Sequence, residues 1–542
     1  MRVRRHRYLN MPARLRCLVS LEYLAIGFAL ICSSWTIAIA QGPLTLPELR
    51  GKHIYQHGTS SSGNKILAYL GDSSLEVPGS LMACATCHGL DGRGKPEGGV
   101  DPSNITWAML TKPYGLTHAD GRTHPPYTEH ALELAITRGK DPAGNKLLSV
   151  MPRYAMSRED LTNLLGYLKR LDQDRDPGIT DSKIVIGTLA PTEGAMDGLG
   201  QAVKAVTAAF FDELNSQGGI YGRRFELKCV ETVGPPEATR ANIERLFRDE
   251  QIFAITGGSI AGSEKELVPL MAQQEIPLIG PLTLYPQIEH PLNRQVFYLL
   301  PGTDELARAL IDFASHNATL NNRRVIVVHS QSEINTSILA AVKDEIKKDR
   351  LSAPLVYDYP PGRFDAAKII GQIGRSGRDA IFFLGDSEEA LAFMQEAETL
   401  GWFPYMLLPR ASGADLFVAP AGFNGKVYLS FPTSPADQSD EGMKEFGALA
   451  EKYKFPPHHL AAQILAFSAA KVLVEALTRA GKDLSRENLI QALEGLYEYR
   501  TGLTPAITFG PNRRIGAMGA YVVTLDLKEK QFLPVSGWID ID

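Results

Sequence analysis

Cys84-Ala85-Thr86-Cys87-His88 decides the reading of this 542-residue chain, because C-x-x-C-H is the attachment sequence of a c-type haem. Two thiols separated by two residues reach the vinyl groups of one porphyrin, and the adjacent imidazole is placed to ligate the iron from one side. A chance cysteine pair or half of a zinc site is the competing reading. A zinc site needs four ligands, yet no second C-x-x-C or H-x-x-x-H follows, Cys229 stands alone, and Cys17 and Cys32 lie near the N-terminus. The motif runs on as Gly89-Leu90-Asp91-Gly92-Arg93-Gly94, a turn whose glycines let backbone pass close to a flat ligand. One covalent haem c, held by Cys84, Cys87 and His88, is the expectation.

An electron carrier needs a sixth iron ligand, and Met151 in Met151-Pro152-Arg153-Tyr154 is the choice. Met156, Met109, His118, His124 and His130 are rivals in the same segment. Ser157-Arg158-Glu159-Asp160 then reads as a helix cap entering an apolar face of Leu161, Leu164, Leu165 and Leu168. Together with Gly51-Lys52-His53-Ile54-Tyr55, these features resemble the class I cytochrome c family over residues 45–172. The resemblance implies a small all-α domain, with a long insert between Tyr55 and Cys84.

The composition, 44% hydrophobic and 22% charged, is that of a globular protein with several cores. A net charge of -5 offers no basic field for nucleic acid. Residues 1–40 read as an export signal: arginines at 2, 4, 5, 7, 14 and 16, an apolar run from Leu24 to Ala40, and Ala38-Ile39-Ala40 as the cleavage site. The run is also nearly long enough to serve as an uncleaved anchor, and no later segment reads as a membrane span. Export agrees with haem attachment, and the expected location is the periplasm.

Charged residues 173–182 form the expected linker, ending a first domain and opening a second over 183–542. Apolar runs then alternate with helical stretches: Lys183 to Leu189, Arg224 to Val230, Ile252 to Thr256, Pro277 to Gly280, Arg323 to Val328, Ala380 to Leu384 and Tyr405 to Leu408. That rhythm predicts βαβ units and parallel sheets covered by helices, and the length suits two lobes. Ile186-Gly187-Thr188-Leu189-Ala190-Pro191, Glu213-Leu214-Asn215 leading to Gly218-Gly219-Ile220-Tyr221-Gly222, and Ile507-Thr508-Phe509 with Arg513-Arg514-Ile515-Gly516-Ala517 resemble the type I periplasmic binding proteins of the branched-chain amino acid and amide receptor family. The resemblance implies a two-lobed α/β fold trapping a small solute.

Gly257-Gly258-Ser259-Ile260-Ala261-Gly262-Ser263 precedes a helix whose N-terminus would hold an anionic or carbonyl oxygen. Ser259, Ser263 and Thr283 are candidate donors, although such residues also serve simply as turn and cap. On the opposing lobe, the resemblance aligns Asp386 and Arg410 with the receptors' ligand-binding positions. Arg410 stands where those relatives carry an acid and would welcome an anion, or else form a surface ion pair; Asp386 remains a partner for an amine.

The sequence has no nucleophile elbow, phosphate loop or paired carboxylates, so an enzyme is not expected. The leading expectation is a one-haem electron carrier joined to a solute-binding module. It would serve a periplasmic redox partner such as a dehydrogenase or another cytochrome, with the module sensing a metabolite or docking the dehydrogenase. The alternative is a receptor of an ABC-type uptake system, working with a membrane permease and carrying an accessory cytochrome domain.

Overall fold

Thr45 begins the first ordered helix, Leu46–His57, with a capping box in which its hydroxyl and the Glu48 carboxylate satisfy each other's backbone N–H. The computed structural model describes residues 44–71, 74–94, 101–118, 120–191, 197–232, 235–409 and 413–541. The export segment 1–40 and Arg410 lie outside the described residues. The chain divides into two units between Asp174 and Arg175.

In the first unit, Leu46–His57 crosses Arg158–Leu168, and Gly51 lies at the crossing: a Cβ there would sit 2.0 Å from the Asn163 carbonyl oxygen. A mid-helix glycine costs about 1 kcal/mol against alanine, which the close approach of the two helices offsets. Gly51→Ala should therefore destabilise this unit by about 1–3 kcal/mol through overpacking, read as a lower denaturant midpoint. Ser157 caps the second helix as its sequence indicates, accepting from the Asp160 N–H at 3.1 Å. Ile54, Tyr55, Leu161, Leu164, Tyr167 and Leu168 form the shared core.

The insert between Tyr55 and Cys84 has a structural task. Leu67–Leu70 pairs antiparallel with Leu75–Pro78 on one side and with Arg153–Ala155 on the other. The helical unit thus gains a three-stranded sheet that braces the chain immediately after Met151 and Pro152.

The second unit holds two sheets. The first runs Val296–Phe297, Leu278–Ile279, Ala254–Thr256, Lys183–Pro191, Arg224–Thr232, all parallel. The second orders Leu355–Tyr359, Arg324–Ser330, Asp379–Leu384, Tyr405–Leu408 and Val427–Phe431 in parallel, then adds Gly519–Asp526 and Gln531–Pro534 antiparallel, with Ile539–Asp540 also pairing to Gly519–Asp526. Apolar clusters cover both faces of each sheet, which is why their strands read as nearly continuous hydrophobic runs.

Helix Leu460–Ala480 is the one helix among the described residues long and apolar enough to cross a membrane, contrary to the reading that no later segment qualifies. Its apolarity has another cause. Ala469, Ala470, Val472, Leu473 and Leu477 are fully buried against strands of the first sheet.

Candidate functional site

Cys84–His88 forms a single helical turn ended by Gly89 at φ +75°, and that left-handed conformation favours glycine. Tyr55, fully buried, donates its hydroxyl to the Gly89 carbonyl at 2.6 Å, tying the turn to the first helix. Cys84 and Cys87 carry free thiols. Both line a cavity of about 1270 Å³, mouth included, together with His88 and Met151. Leu110, Leu132, Ile136, Leu164 and Tyr127 supply much of its apolar wall.

The donors suit an iron porphyrin. His88 is 8% exposed, and its Nδ1 lies 2.9 Å from the Ser103 carbonyl oxygen. That contact assigns the proton to Nδ1 and leaves Nε2 as the metal-binding nitrogen, the usual way a carbonyl orients a ligating imidazole. Burial lowers the His88 pKa, favouring the neutral ring a metal requires. Burial also pushes the Cys84 thiol up to about 12, so this sulfur is held as a thiol.

Met151 is half-buried on the loop that follows Leu147 and Leu148. The Arg153 guanidinium donates to the Met151 carbonyl, and to that of Leu147 at 3.0 Å, so one side chain gathers the loop carrying the sulfur. Gly139, at φ +61°, lies against that guanidinium: a Cβ there would sit 1.7 Å from Arg153 Nε. Of the rivals, Met156, Met109 and His130 do not line the cavity, whereas His118 and His124 do. Three of their four ring nitrogens are already engaged. The two Nε2 atoms are 2.9 Å apart, and His124 Nδ1 contacts the Pro125 carbonyl at 2.7 Å.

Arg122 is a residue the sequence reading missed. It lines the cavity beside the two histidines and pairs with Asp120 at 2.7 Å; its buried Nη1 makes no hydrogen bond but lies 3.8 Å from the carboxylate of buried Asp141. No local pattern announces it, since Arg122 approaches the cavity through the two-stranded pairing of Leu116–Thr117 with Thr123–His124.

His53 and His118 both have lowered pKa values, each chiefly from burial. The unfolded chain then binds more protons than the folded one below about pH 6.5, so stability rises with pH across that window and is lost on acidification. The melting temperature of the first unit should fall between about pH 7 and about pH 5, measured by circular dichroism, and substituting His118 by Gln should flatten the slope.

In the second unit, Ser259 is buried and its oxygen accepts a long 3.4 Å bond from the Ala261 N–H. Ser263 precedes helix Glu264–Gln274 but makes no side-chain capping bond. Thr283 does not offer its proton to a solute, because it donates to Glu264 at 2.6 Å. Asp386 is exposed and is the N-cap of helix Ser387–Thr399, accepting from the Glu389 N–H at 2.8 Å. Lys265 and Glu333 form an exposed pair at 2.5 Å between helices Glu264–Gln274 and Glu333–Lys348.

The Cytochrome c family model matches residues 80–172, and the Periplasmic binding protein model matches residues 183–531. "Leu/Ile/Val-binding protein homolog 3" of Brucella melitensis is 20% identical over 298 residues, covering 55% of this chain and 79% of that protein. Among solved structures, a branched-chain amino acid ABC transporter protein from Thermus thermophilus with bound valine aligns at TM-score 0.54 and 18% identity, over 67% of this chain and 98% of its own. A fatty acid ABC transporter substrate-binding protein from Thermomonospora curvata aligns at 0.52 and 17%, over 68% and 95%. Relatives that differ this much in cargo share the two-lobed frame, so the frame alone does not select a solute. With most of its length matched by one family model and residues 80–172 by another, the chain belongs to the periplasmic binding protein family and carries a cytochrome c domain ahead of the receptor fold.

Proposed function

We propose that this protein is an exported electron carrier with one haem c, joined to a solute-binding module, and that it is not an enzyme. Cys84 and Cys87 would hold the haem covalently, and His88 Nε2 and Met151 Sδ would be the ligands offered to its iron. The observation that carries the reading is the convergence of both thiols, His88 and Met151 on one apolar cavity. When bound, the haem would supply a reversible one-electron couple, and ligation by both His88 and Met151 would leave no open position for chemistry on a substrate. Arg122, paired with Asp120 and Asp141, would line the polar edge of the bound group. The apolar wall excludes water, and Ser103 keeps the imidazole in the ligating tautomer.

The partner of this couple is a periplasmic dehydrogenase or another cytochrome. The receptor module senses a small solute or docks the dehydrogenase. A second reading, delivery of solute to a membrane permease, is favoured by the likeness to Leu/Ile/Val-binding proteins and ABC transporter receptors. Deletion of the gene separates the two. Loss of growth on a dehydrogenase substrate with uptake of amino acids unchanged supports the electron-carrier reading, and loss of uptake with respiration unchanged supports delivery. Mass spectrometry of small molecules released from protein purified in its native host should recover a bound solute; protein that is fully folded and releases none counts against both.

A further inference from the structure

A thioether is a neutral ligand with no charge to hold it on a metal, so its bond lasts only while the chain keeps the sulfur in place. Met151 lies on the loop that runs from Leu147 to strand Arg153–Ala155, and such loops open at much lower cost than a domain unfolds. Arg153 closes this one. Its guanidinium donates to the carbonyls of Leu147 at 3.0 Å, of Leu148 at a longer 3.4 Å, and of Met151. Both ends of the loop are therefore held by one planar, permanently charged fork.

The fork has a seat of its own. Gly139, at φ +61°, ends helix Glu129–Arg138, and its carbonyl accepts the Leu147 N–H at 2.9 Å. A Cβ on Gly139 would collide with the guanidinium, so the glycine that caps this helix also leaves room for the arginine. The insert supports the same loop: Arg153 pairs with Tyr69 in strand Leu67–Leu70, and the Gly71 N–H just beyond that strand donates to the Ser149 carbonyl at 3.3 Å. Arg153 does not itself line the cavity, so whatever it does for the bound group passes through the loop.

We propose that Arg153 is a positioning residue for the sixth iron ligand: by holding the loop from Leu147 to Met151 closed, it sets how often the Met151 sulfur withdraws and leaves a coordination position open. The inference rests on the reading of Met151 as that ligand and deepens it.

Imidazole added to the oxidised, haem-loaded full chain reports the open fraction, because an external ligand binds only while the sulfur is away and its apparent affinity scales with that fraction. The far-red absorption band of methionine-ligated ferric haem reports the closed fraction. Arg153→Ala should raise the apparent imidazole affinity about tenfold or more, the usual consequence of removing a group that orients a metal ligand, and should weaken the band. Arg153→Lys, which offers a point charge in place of the fork, should fall between the alanine variant and the parent. Gly51→Ala disturbs the same unit through a different contact, the crossing at Asn163. It should leave the affinity within about twofold of the parent, since sites without shared partners act independently; a merely structural role for Arg153 predicts the same of its own variants. An effect of Arg153→Ala no larger than that of Gly51→Ala would overturn the inference, as would a lysine variant indistinguishable from the parent if the alanine variant does not load haem. Met151 remains the ligand in either case if the parent's band is lost in Met151→Ala. A parent without the band, or a band that survives Met151→Ala, would remove the ligand assignment and this inference with it.

Discussion

Protein carrying Cys84→Ser and Cys87→Ser together should show no haem on a denaturing gel, where the parent chain stains for covalently held haem. Serine hydroxyls do not replace thiols in addition to vinyl groups, so both links are lost and only axial ligation remains. Each single variant keeps one link and should stain. The consequence for folding is as large as that for redox chemistry, because the cavity walls include Leu110, Leu132, Ile136, Leu164 and Leu168, five side chains whose burial depends on a partner filling the space. The first unit should lose its cooperative melting transition. The second unit, whose apolar clusters contain no residue of the first, should melt as before. Retention of covalent haem in the double variant would remove the basis of the electron-carrier reading.

Met151→Ala should lower the reduction potential by on the order of 0.1 V or more, since a thioether ligand raises the potential of haem iron. It should also let the reduced protein bind carbon monoxide, which the parent chain should resist. Met156→Ala is the control. Met156 packs against the apolar core of the unit but does not line the cavity, so its loss should reduce stability and leave the potential within a few tens of millivolts, roughly the scale of a remote packing change. The same potential in Met151→Ala as in the parent would transfer the ligand role to another residue. His118 and His124 would be next, being the rivals that reach the cavity.

The features legible in the sequence are those whose chemistry is local. C-x-x-C-H places three groups within one helical turn, so adjacency alone brings them together. Ser157 and Asp160 cap a helix by a bond spanning three residues, and the leucines behind them repeat at helical spacing. Strands buried on both faces announce themselves as apolar runs, and Tyr405–Leu408 was bounded without error. Leu355–Tyr359 and Gln531–Pro534 escaped because their side chains are largely exposed at sheet edges. Gly519–Asp526 is buried but pairs antiparallel with Val427–Phe431 across about ninety intervening residues, and Val427–Phe431, although parallel to Tyr405–Leu408, is reached through short 3-10 turns and not through an α-helix, so neither fits the βαβ rhythm that identified the others.

Sequence by itself determined that two thiols and an imidazole stand within one turn, at the spacing of a haem attachment motif, and that parallel α/β sheets follow, since covalent spacing and hydrophobic period carry that information; the receptor reading came from resemblance. Only the tertiary structure decided which distant methionine meets the cavity, that Arg122 lies at its edge, that Leu460–Ala480 is a core helix of the first lobe and not a membrane span, and that Glu264 already holds the hydroxyl of Thr283. The reason is physical: a contact between residues far apart in the chain depends on packing, which fixes the direction of every side chain at once and leaves no trace in the spacing of any two of them.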